Sequence, residues 1–212
     1  MNRTKIEWCN FTWNPLVGCK YGCSYCYANV LNHRFHWLDD FSEPEYFRER
    51  LEDPIRRKKP SKIFTGSVCD QFGGWVDENI INDVLNVVRK CPQHTFQFLT
   101  KNPVRLQDFK FPDNSWIGTT IDHCENAGRS GLLKLAEAKV RFISFEPLLS
   151  DMTTVPLDGI NWIIVGAMTG KQAVSPEMGW VRNIIKSATA KGIPVFLKNS
   201  IAWPEKLQQY PM

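Results

Sequence analysis

The strongest constraint on the fold of this chain is a repeated alternation of short apolar runs with amphipathic helical patterns. The runs are rich in Ile, Val and Phe and apolar on both faces, as is typical of parallel strands that helices cover. Such alternation with short connections predicts an α/β fold. Seven strands are predicted, at Thr12–Val17, Lys62–Gly66, Thr95–Thr100, Trp116–Ile121, Val140–Phe145, Asn161–Gly166 and Pro194–Lys198.

Helix-start and helix-end signals separate these strands. Asp77 is placed to cap a helix over Glu78–Lys90, which Cys91-Pro92 ends. The other signals are Asn102-Pro103 and Ser175-Pro176 as caps with first-turn prolines, Asp122 with Glu125 as a capping pair, and Gly192 as a helix end.

The 212 residues suffice for one domain with a substantial core, and we expect a single domain over residues 1–212. Its longest connection, residues 38–61, is charged and punctuated by proline. We expect one short helix there, around residues 45–51, in a segment that is either a lid or a surface excursion. Seven strands suit an open doubly wound sheet or a partly closed barrel, and periodicity does not choose between them.

Charge and cysteine use narrow the class of protein. The net charge of +4 includes the run Arg56–Lys59, which suits either a nucleic-acid partner or a solvated face. No signal peptide or membrane span is visible, so we expect a cytoplasmic protein without a membrane partner. The seven cysteines are then expected to be reduced rather than paired in disulfides.

Three of the cysteines, Cys19, Cys23 and Cys26, form a C-x3-C-x2-C motif interleaved with Gly18 and Gly22. Glycines allow a tight loop that turns the three sulfurs toward one point, and three thiolates suit a soft metal or an iron–sulfur cluster. Besides a chance group of buried cysteines, three site types remain open at this stage. They are a zinc site completed by Cys9, His33 or His36, an electron-transfer cluster completed by Cys9, Cys69, Cys91 or Cys124, and a cubane cluster with three protein ligands and one open iron.

The motif, with Tyr25 before its third cysteine, resembles the signature of the radical S-adenosylmethionine (SAM) superfamily. The resemblance implies a 4Fe–4S cluster on Cys19, Cys23 and Cys26, whose open iron chelates SAM and whose electron cleaves it to a 5′-deoxyadenosyl radical. It also implies a partial (β/α) barrel of six to seven mostly parallel strands, with the cysteine loop after the first strand. The predicted strand Thr12–Val17 and the helical pattern of Ser24–Trp37 flank the motif in that order.

A closer resemblance extends over almost the whole chain. Its blocks are similar to those of a phage-associated radical-SAM-like family, sometimes called the three-Cys-motif phage proteins. This resemblance supports the cofactor chemistry better than it supports any one substrate. The blocks are TKIEWCNFTWNPLVGC, KIFTGSVCDQF, QHTFQFLTKNP, RFISFEPLL, WIIVGAMTG and PVFLKN.

Polar residues follow most of the predicted strands, where the active site of a parallel barrel gathers. Glu146 lies among apolar neighbours, where an unpaired carboxylate is costly, and Lys198 follows an apolar run. We therefore expect both side chains to face the mouth of the sheet. Asp70, Lys101 and Asp122 also have plainer interpretations, as a turn residue, an exposed charge and a helix cap.

The superfamily resemblance implies roles for the cofactor-binding residues. Gly66, Ser67 and Asp70 occupy the place of a glycine-rich stretch that holds the SAM amino group, although the glutamate usual there is missing. The resemblance also implies that Thr120 or Asp122 contacts the ribose of SAM. Tyr25 and the backbone of Gly166 are the expected contacts to its adenine.

The predicted function is reductive cleavage of SAM by a radical SAM enzyme, with Glu146, Lys198 and Asp70 as catalytic residues. Glu146 and Lys198 would bind substrate or the SAM carboxylate, or pair with each other. The eight tryptophans, the Arg56–Lys59 run and the phage-family resemblance favour a nucleobase or nucleic-acid substrate, such as hypermodified phage DNA. The class of reaction, isomerase, lyase or transferase, stays open.

The predicted partners are SAM, a nucleic acid or nucleotide, and an electron donor such as flavodoxin or ferredoxin. Two alternatives stay open. One is a radical SAM enzyme that acts on a small metabolite or peptide. The other is a non-catalytic zinc or iron–sulfur module that binds nucleic acid.

Overall fold

The computed structural model describes residues 1–170 and 173–212, and within them a large sheet is covered by helices. Three short 3-10 helices lie at Arg48–Glu52, Pro103–Asp108 and Cys124–Asn126. The α-helices are α1 (Tyr27–Phe35), α2 (Asp53–Arg56), α3 (Glu78–Lys90), α4 (Gly128–Lys134) and α5 (Met178–Ala190). The strands are β1 (Asn2–Arg3), β2 (Phe11–Trp13), β3 (Leu16–Val17), β4 (Glu45–Tyr46), β5 (Lys62–Thr65), β6 (Thr95–Thr100), β7 (Ser115–Thr120), β8 (Val140–Phe145), β9 (Trp162–Val165) and β10 (Val195–Leu197).

The main sheet has eight strands in the order β1-β2-β5-β6-β7-β8-β9-β10, and every pair except β1–β2 is parallel. The order follows the chain without a reversal, which excludes a doubly wound sheet. The expectation of an α/β fold with a mostly parallel sheet is confirmed. Among the described residues no ladder joins the two outer strands, so the sheet is open.

The sheet is strongly curved around Trp8. The Trp8 ring lies 4.6 Å from the ring of Phe64 on β5 and 6.2 Å from that of Trp162 on β9. These two strands are four places apart in the sheet, which would separate them by roughly 19 Å if the sheet were flat. The buried Trp8 indole on the concave side therefore contacts strands that a flat sheet would hold far apart.

Alternate residues of the strands supply two apolar layers. Ile163 and Val165 of β9 pack in the layer beneath the helices, whereas Trp162 and Ile164 pack on the concave side with Trp8. The helix-side layer contains the apolar stripe of α3 and the buried residues of α5. Both faces of the strands are thus buried, as their composition predicted.

The predicted first strand, Thr12–Val17, divides in its middle, at Asn14 and Pro15. Phe11–Trp13 joins the main sheet as β2, whereas Leu16–Val17 leaves it as β3 and pairs with β4. β3 and β4 belong to a separate two-stranded sheet, so the connection over residues 38–61 contains a strand as well as helical turns. The prediction of one continuous strand to residue 17 was wrong.

The helix signals were confirmed in part. The Asp77 side chain accepts a hydrogen bond from the Asn79 amide at 2.7 Å, and Gly192 follows α5 with a φ of +66°. The Asn102 side chain makes no capping bond, and α5 begins at Met178 behind Glu177 rather than at Pro176. His123 caps the turn that Asp122 was expected to cap.

No helix in the described part of the chain combines the length and the apolar character that crossing a membrane requires.

Candidate functional site

A cavity of about 770 Å³ opens at the carboxyl edge of the sheet, within the size range of small-molecule sites. The cysteine loop and the segments that follow β5, β6, β8 and β10 line it. All of the predicted site residues except Asp122 and Gly166 contribute to its wall. Parallel strands bring these residues together because their carboxyl ends meet at one edge.

The amino end of the cysteine loop is held by two backbone hydrogen bonds. The Gly18 amide donates to the Val68 carbonyl at 3.1 Å, and the Cys19 amide donates to the Phe41 carbonyl at 2.8 Å. Gly18 has a φ of +99°, and a Cβ there would lie 2.9 Å from the Cα of Pro44. Only glycine allows this turn, so the loop is seated between the β5 loop and the 38–61 connection.

The three motif thiols are free and line the cavity. They also line a smaller cleft of about 220 Å³, here called the outer cleft, together with residues of α1 and of the segment 39–42. Cys26 is the N-cap of α1, and its sulfur accepts a hydrogen bond from the Asn29 amide at 3.4 Å. A helix N-terminus stabilises negative charge, which suits a thiolate ligand. Burial raises the pKa of Cys19 to about 11, so its thiol is protonated at neutral pH unless a metal binds it.

The donor set fits a soft metal or an iron–sulfur cluster by its chemistry. Within residues 1–170 and 173–212, no three His, Cys, Asp or Glu side chains already lie in a metal-binding arrangement. The residues that would hold such a group are Cys19, Cys23 and Cys26, because these three thiols lie on one loop and line the same cavity wall. Gly18 and Gly22 have φ values of +99° and +61°, which glycine adopts without strain, so the backbone can turn beside the thiols.

The structure divides the fourth-ligand candidates by position. His33 lines the outer cleft with the three motif cysteines, and Cys69 lines the main cavity with them. Cys9 is buried in the concave apolar layer, and burial raises its pKa to about 12. Of the described residues that line the cavity or the outer cleft, none is Cys9, His36, Cys91 or Cys124.

Tyr25 is anchored by an ion pair between two strand ends. Its hydroxyl donates a hydrogen bond to Asp122, and the ammonium of Lys101 lies 2.7 Å from an Asp122 oxygen and 2.6 Å from the Tyr25 oxygen. Arg129 adds a second cation 3.6 Å from Asp122. Burial alone would raise the pKa of Asp122, but the bonds from Lys101 and Tyr25 outweigh it and hold the pKa below its usual range.

Lys101 is therefore a site residue that the sequence analysis left as either a strand-end group or an exposed charge. It lines the cavity with only 16% of its side chain exposed. The available signal was its position directly after β6. That signal is weak, because a lysine after a strand is more often solvated.

Asp70 lies in the cavity wall, 6% exposed, in the loop after β5. Its two carboxylate oxygens accept hydrogen bonds from the Lys101 amide at 2.7 Å and the Phe72 amide at 3.1 Å. Burial raises the pKa of this carboxyl in spite of both bonds. Nearby, Ser67 is held by the Asn14 side chain at 3.0 Å and its carbonyl by the Tyr27 hydroxyl.

Glu146 and Lys198 form an ion pair beside Gly166, the residue that follows β9. Their side chains are 26% and 17% exposed and both line the cavity. A Cβ at Gly166, just after β9, would lie 3.0 Å from Lys198 Cδ and 3.1 Å from Glu146 Cδ. The amide and carbonyl of Gly166 bond to Phe145 and Leu148, so this residue contributes space for the pair rather than a wall of the cavity.

Two further wall residues have polar side chains of interest. Thr120 at the end of β7 is 7% exposed and its carbonyl accepts a bond from Arg129 at 2.9 Å. Ser144 on β8 is fully buried, and its hydroxyl has no hydrogen-bond partner among the described residues. An unpaired buried hydroxyl at a cavity wall is a ready contact for a polar ligand.

The basic run Arg56–Lys59 lies at the opposite edge of the sheet. It immediately precedes Lys62, the first residue of β5, whereas the cavity is at the carboxyl ends. Arg56 pairs with Glu52 at 2.7 Å and Arg57 bonds to Ser61 at 2.7 Å. This run was expected from the sequence to favour a nucleic-acid partner, but none of its four residues lines the cavity.

The chain belongs to the family described as protein of unknown function (DUF5131), whose model matches residues 3–210. It is also similar to the uncharacterized protein MJ0683 of Methanocaldococcus jannaschii, with 28% identity over 130 residues. That match covers 59% of this chain and 49% of the relative, so the chain spans about half the length of the curated protein it matches. No solved structure matches it.

Proposed function

We propose that this protein is a radical SAM enzyme that cleaves SAM reductively and modifies a nucleobase or nucleic acid. The observation that carries the proposal is the placement of the C-x3-C-x2-C loop on the wall of a large cavity at the carboxyl edge of a parallel sheet. Buried carboxylates and lysines share that wall. Parallel α/β enzymes place their chemistry at this edge.

The proposal includes a finer fold assignment, a partial (β/α) barrel of the radical SAM type. Chain-order strands, a curved sheet and a concave side filled by Trp8 support it. The open edge between β1 and β10 corresponds to the incomplete part of such a barrel. A cytoplasmic location and an electron donor such as flavodoxin or ferredoxin belong to the same proposal.

Cys19, Cys23 and Cys26 would hold a 4Fe–4S cluster on the cavity wall. When bound, such a cluster supplies an open iron that chelates SAM and the electron that breaks a carbon–sulfur bond of SAM. Tyr25, tied to Asp122 and Lys101, fixes the loop between the second and third thiols. Its anchoring keeps the loop in one position relative to the strand ends.

The remaining wall residues would bind and orient the two ligands. Asp70, Ser67 and Thr120 offer oxygen acceptors and hydroxyls on the β5–β7 side of the cavity. Ser144, Glu146 and Lys198 offer an unpaired hydroxyl and an ion pair on the β8–β10 side. We assign the first group to SAM and the second group to the substrate, whose reacting C–H bond must lie near the cleaved SAM.

The test is an anaerobic one. The protein is purified without oxygen, reconstituted with iron and sulfide, reduced with dithionite and incubated with SAM. Formation of 5′-deoxyadenosine, measured by liquid chromatography and mass spectrometry, supports the proposal. A preparation with full cluster content that forms none contradicts it.

A second candidate function is a non-catalytic zinc module, and the position of His33 favours it. His33 lines the outer cleft with the three cysteines, which would complete a Cys3His site. Metal analysis separates the two functions. A colourless protein with one zinc that His33→Ala removes supports the module, and a brown protein whose iron content His33→Ala leaves unchanged contradicts it.

A further inference from the structure

Helix α1, which follows the cysteine loop, and the residues just after it have exposed aromatic side chains, two of which line the cavity. Tyr27, Phe35 and Trp37 are 48%, 55% and 39% exposed. Tyr27 and Trp37 line the cavity itself. Large aromatic side chains left in water beside a cavity mark a binding surface rather than a folding requirement.

Phe35 and Trp37 form one exposed stack, with Arg34 beside it. The rings of Phe35 and Trp37 are nearly parallel, 16° apart, with centroids separated by 6.0 Å. The guanidinium of Arg34 lies 5.3 Å from the centre of the Phe35 ring. The stack presents flat π-faces with a positive charge beside them, and this combination suits a nucleobase and its phosphate.

Two more cations lie on the wall of the same cavity. Arg3 at the end of β1 and Lys5 just after it are exposed and line the cavity with Trp37. Neither makes an ion pair or a side-chain hydrogen bond with any described residue, so both charges are available to a ligand. Glu7 lines the same cavity, but its carboxylate accepts hydrogen bonds from the Asn199 amide at 2.9 Å and the Gln208 side chain at 3.1 Å. Asp39 and Asp40 line the outer cleft.

We propose that this surface binds a single-stranded nucleic acid and leads one nucleotide into the cavity. Bases stack on Phe35 and Trp37, and Arg3 and Lys5 contact phosphates. A duplex would hide the base faces that such a stack reads, which favours a single strand. The inference rests on the proposed function for its substrate class, and it moves the nucleic-acid surface from the Arg56–Lys59 run to the cavity rim.

The experiment measures binding of the full chain to fluorescein-labelled 20-residue oligothymidine and oligouridine by fluorescence anisotropy, without SAM. The first variant combines Phe35→Ala with Trp37→Ala. Both side chains are exposed, so the fold is expected to be retained. We expect affinity to fall about tenfold or more, from the loss of base stacking.

The second variant, Arg3→Gln with Lys5→Gln, removes two phosphate contacts. We expect the salt dependence of log K to flatten by about 1.4 per decade of salt, from two lost contacts to a single strand. The matched control, Arg56→Gln with Lys59→Gln, makes the same charge change at the amino edge. It is expected to retain the parent affinity to within about twofold.

Three results overturn the proposal: no measurable binding of either probe, parent affinity in the aromatic variant, or an equal loss in the amino-edge control. A tighter complex with a matching duplex than with the single strand also overturns it. Because the assay contains no SAM, its failure leaves 5′-deoxyadenosine formation untouched as a test of the proposed function. Failure of SAM cleavage likewise leaves this binding result standing.

Discussion

The ammonium of Lys101 lies 2.7 Å from a carboxylate oxygen of Asp122, and the two side chains are only 16% and 13% exposed. This pair joins the carboxyl ends of β6 and β7 and also receives Tyr25 from the cysteine loop. Breaking a surface ion pair costs little, whereas removing one partner of a buried pair is destabilising because it leaves an uncompensated charge. The position and the stability of the cysteine loop therefore depend on the Lys101–Asp122 pair.

We expect Lys101→Met to lower the free energy of unfolding at pH 7 by about 2 kcal/mol, because it leaves a poorly solvated carboxylate with Arg129, 3.6 Å away, as its remaining cation. The folded-state pKa of Asp122 is lowered, so the stabilisation is present above the unfolded-state pKa of about 3.9. It is lost as the pH falls through the lower folded-state value. Urea unfolding of parent and variant at pH 7 and at steps below about pH 4 checks both parts.

The control for that measurement is Lys20→Met, because Lys20 pairs with Glu43 at 3.2 Å on a surface where Glu43 is 73% exposed. We expect a change below about 0.5 kcal/mol. Equal losses in the two variants, or a Lys101 effect that persists in acid, would show that the buried pair has no special role.

We expect Cys19→Ala, Cys23→Ala and Cys26→Ala each to abolish the bound iron and acid-labile sulfide together with SAM cleavage. Each of the three thiols is on the cavity wall, and a cluster with three protein ligands is no longer bound stably when one ligand is removed. Cys9→Ala is the matched control. Cys9 is buried in the apolar layer, so this variant is expected to keep full iron and sulfide, and cluster loss in it would falsify the three-ligand proposal.

Gly166→Ala is expected to reduce turnover about tenfold or more with the fold retained. The new methyl group would lie 3.0 Å from Lys198 and 3.1 Å from Glu146, closer than ordinary van der Waals contact, so the ion pair must move. Steady-state product formation, with thermal unfolding alongside it, measures the effect.

Gly131→Ala provides the comparison, since Gly131 is exposed in α4 and a Cβ there meets nothing within 4 Å. We expect unchanged turnover and about 0.5 to 1 kcal/mol of added stability from the better helix propensity of alanine. Parent activity in Gly166→Ala would mean that the pair tolerates displacement and does not orient the substrate.

Glu146→Gln keeps the shape of the side chain and removes its charge from the pair with Lys198. Since Glu146 is 26% exposed, we expect a folded protein whose substrate turnover falls about a hundredfold while 5′-deoxyadenosine forms from SAM alone at the parent rate. Comparing coupled turnover with uncoupled SAM cleavage tests this. Loss of the uncoupled reaction instead would place Glu146 on the SAM side of the cavity.

Local patterns were sufficient for the elements and for the edge at which the site lies. Apolar runs such as Val140–Phe145 and Thr95–Thr100 form strands at the predicted bounds, and Asp77 caps α3. The apolar composition that favours a covered strand and the residue types of a helix cap can both be read from a few consecutive positions. The motif thiols, Glu146 and Lys198 were also named from spacing and from the cost of an unpaired charge in apolar surroundings.

Only the tertiary structure decided which of those groups meet. Lys101 and Asp122 are 21 positions apart in the sequence. Tyr25 is 76 positions from Lys101 and 97 from Asp122, so no local pattern pairs these residues. The curvature around Trp8, the departure of Leu16–Val17 from the sheet and the placement of Arg56–Lys59 at the far edge likewise depend on which distant surfaces pack together. Spacing along the chain sets a residue's type of environment, whereas long-range packing sets its partner.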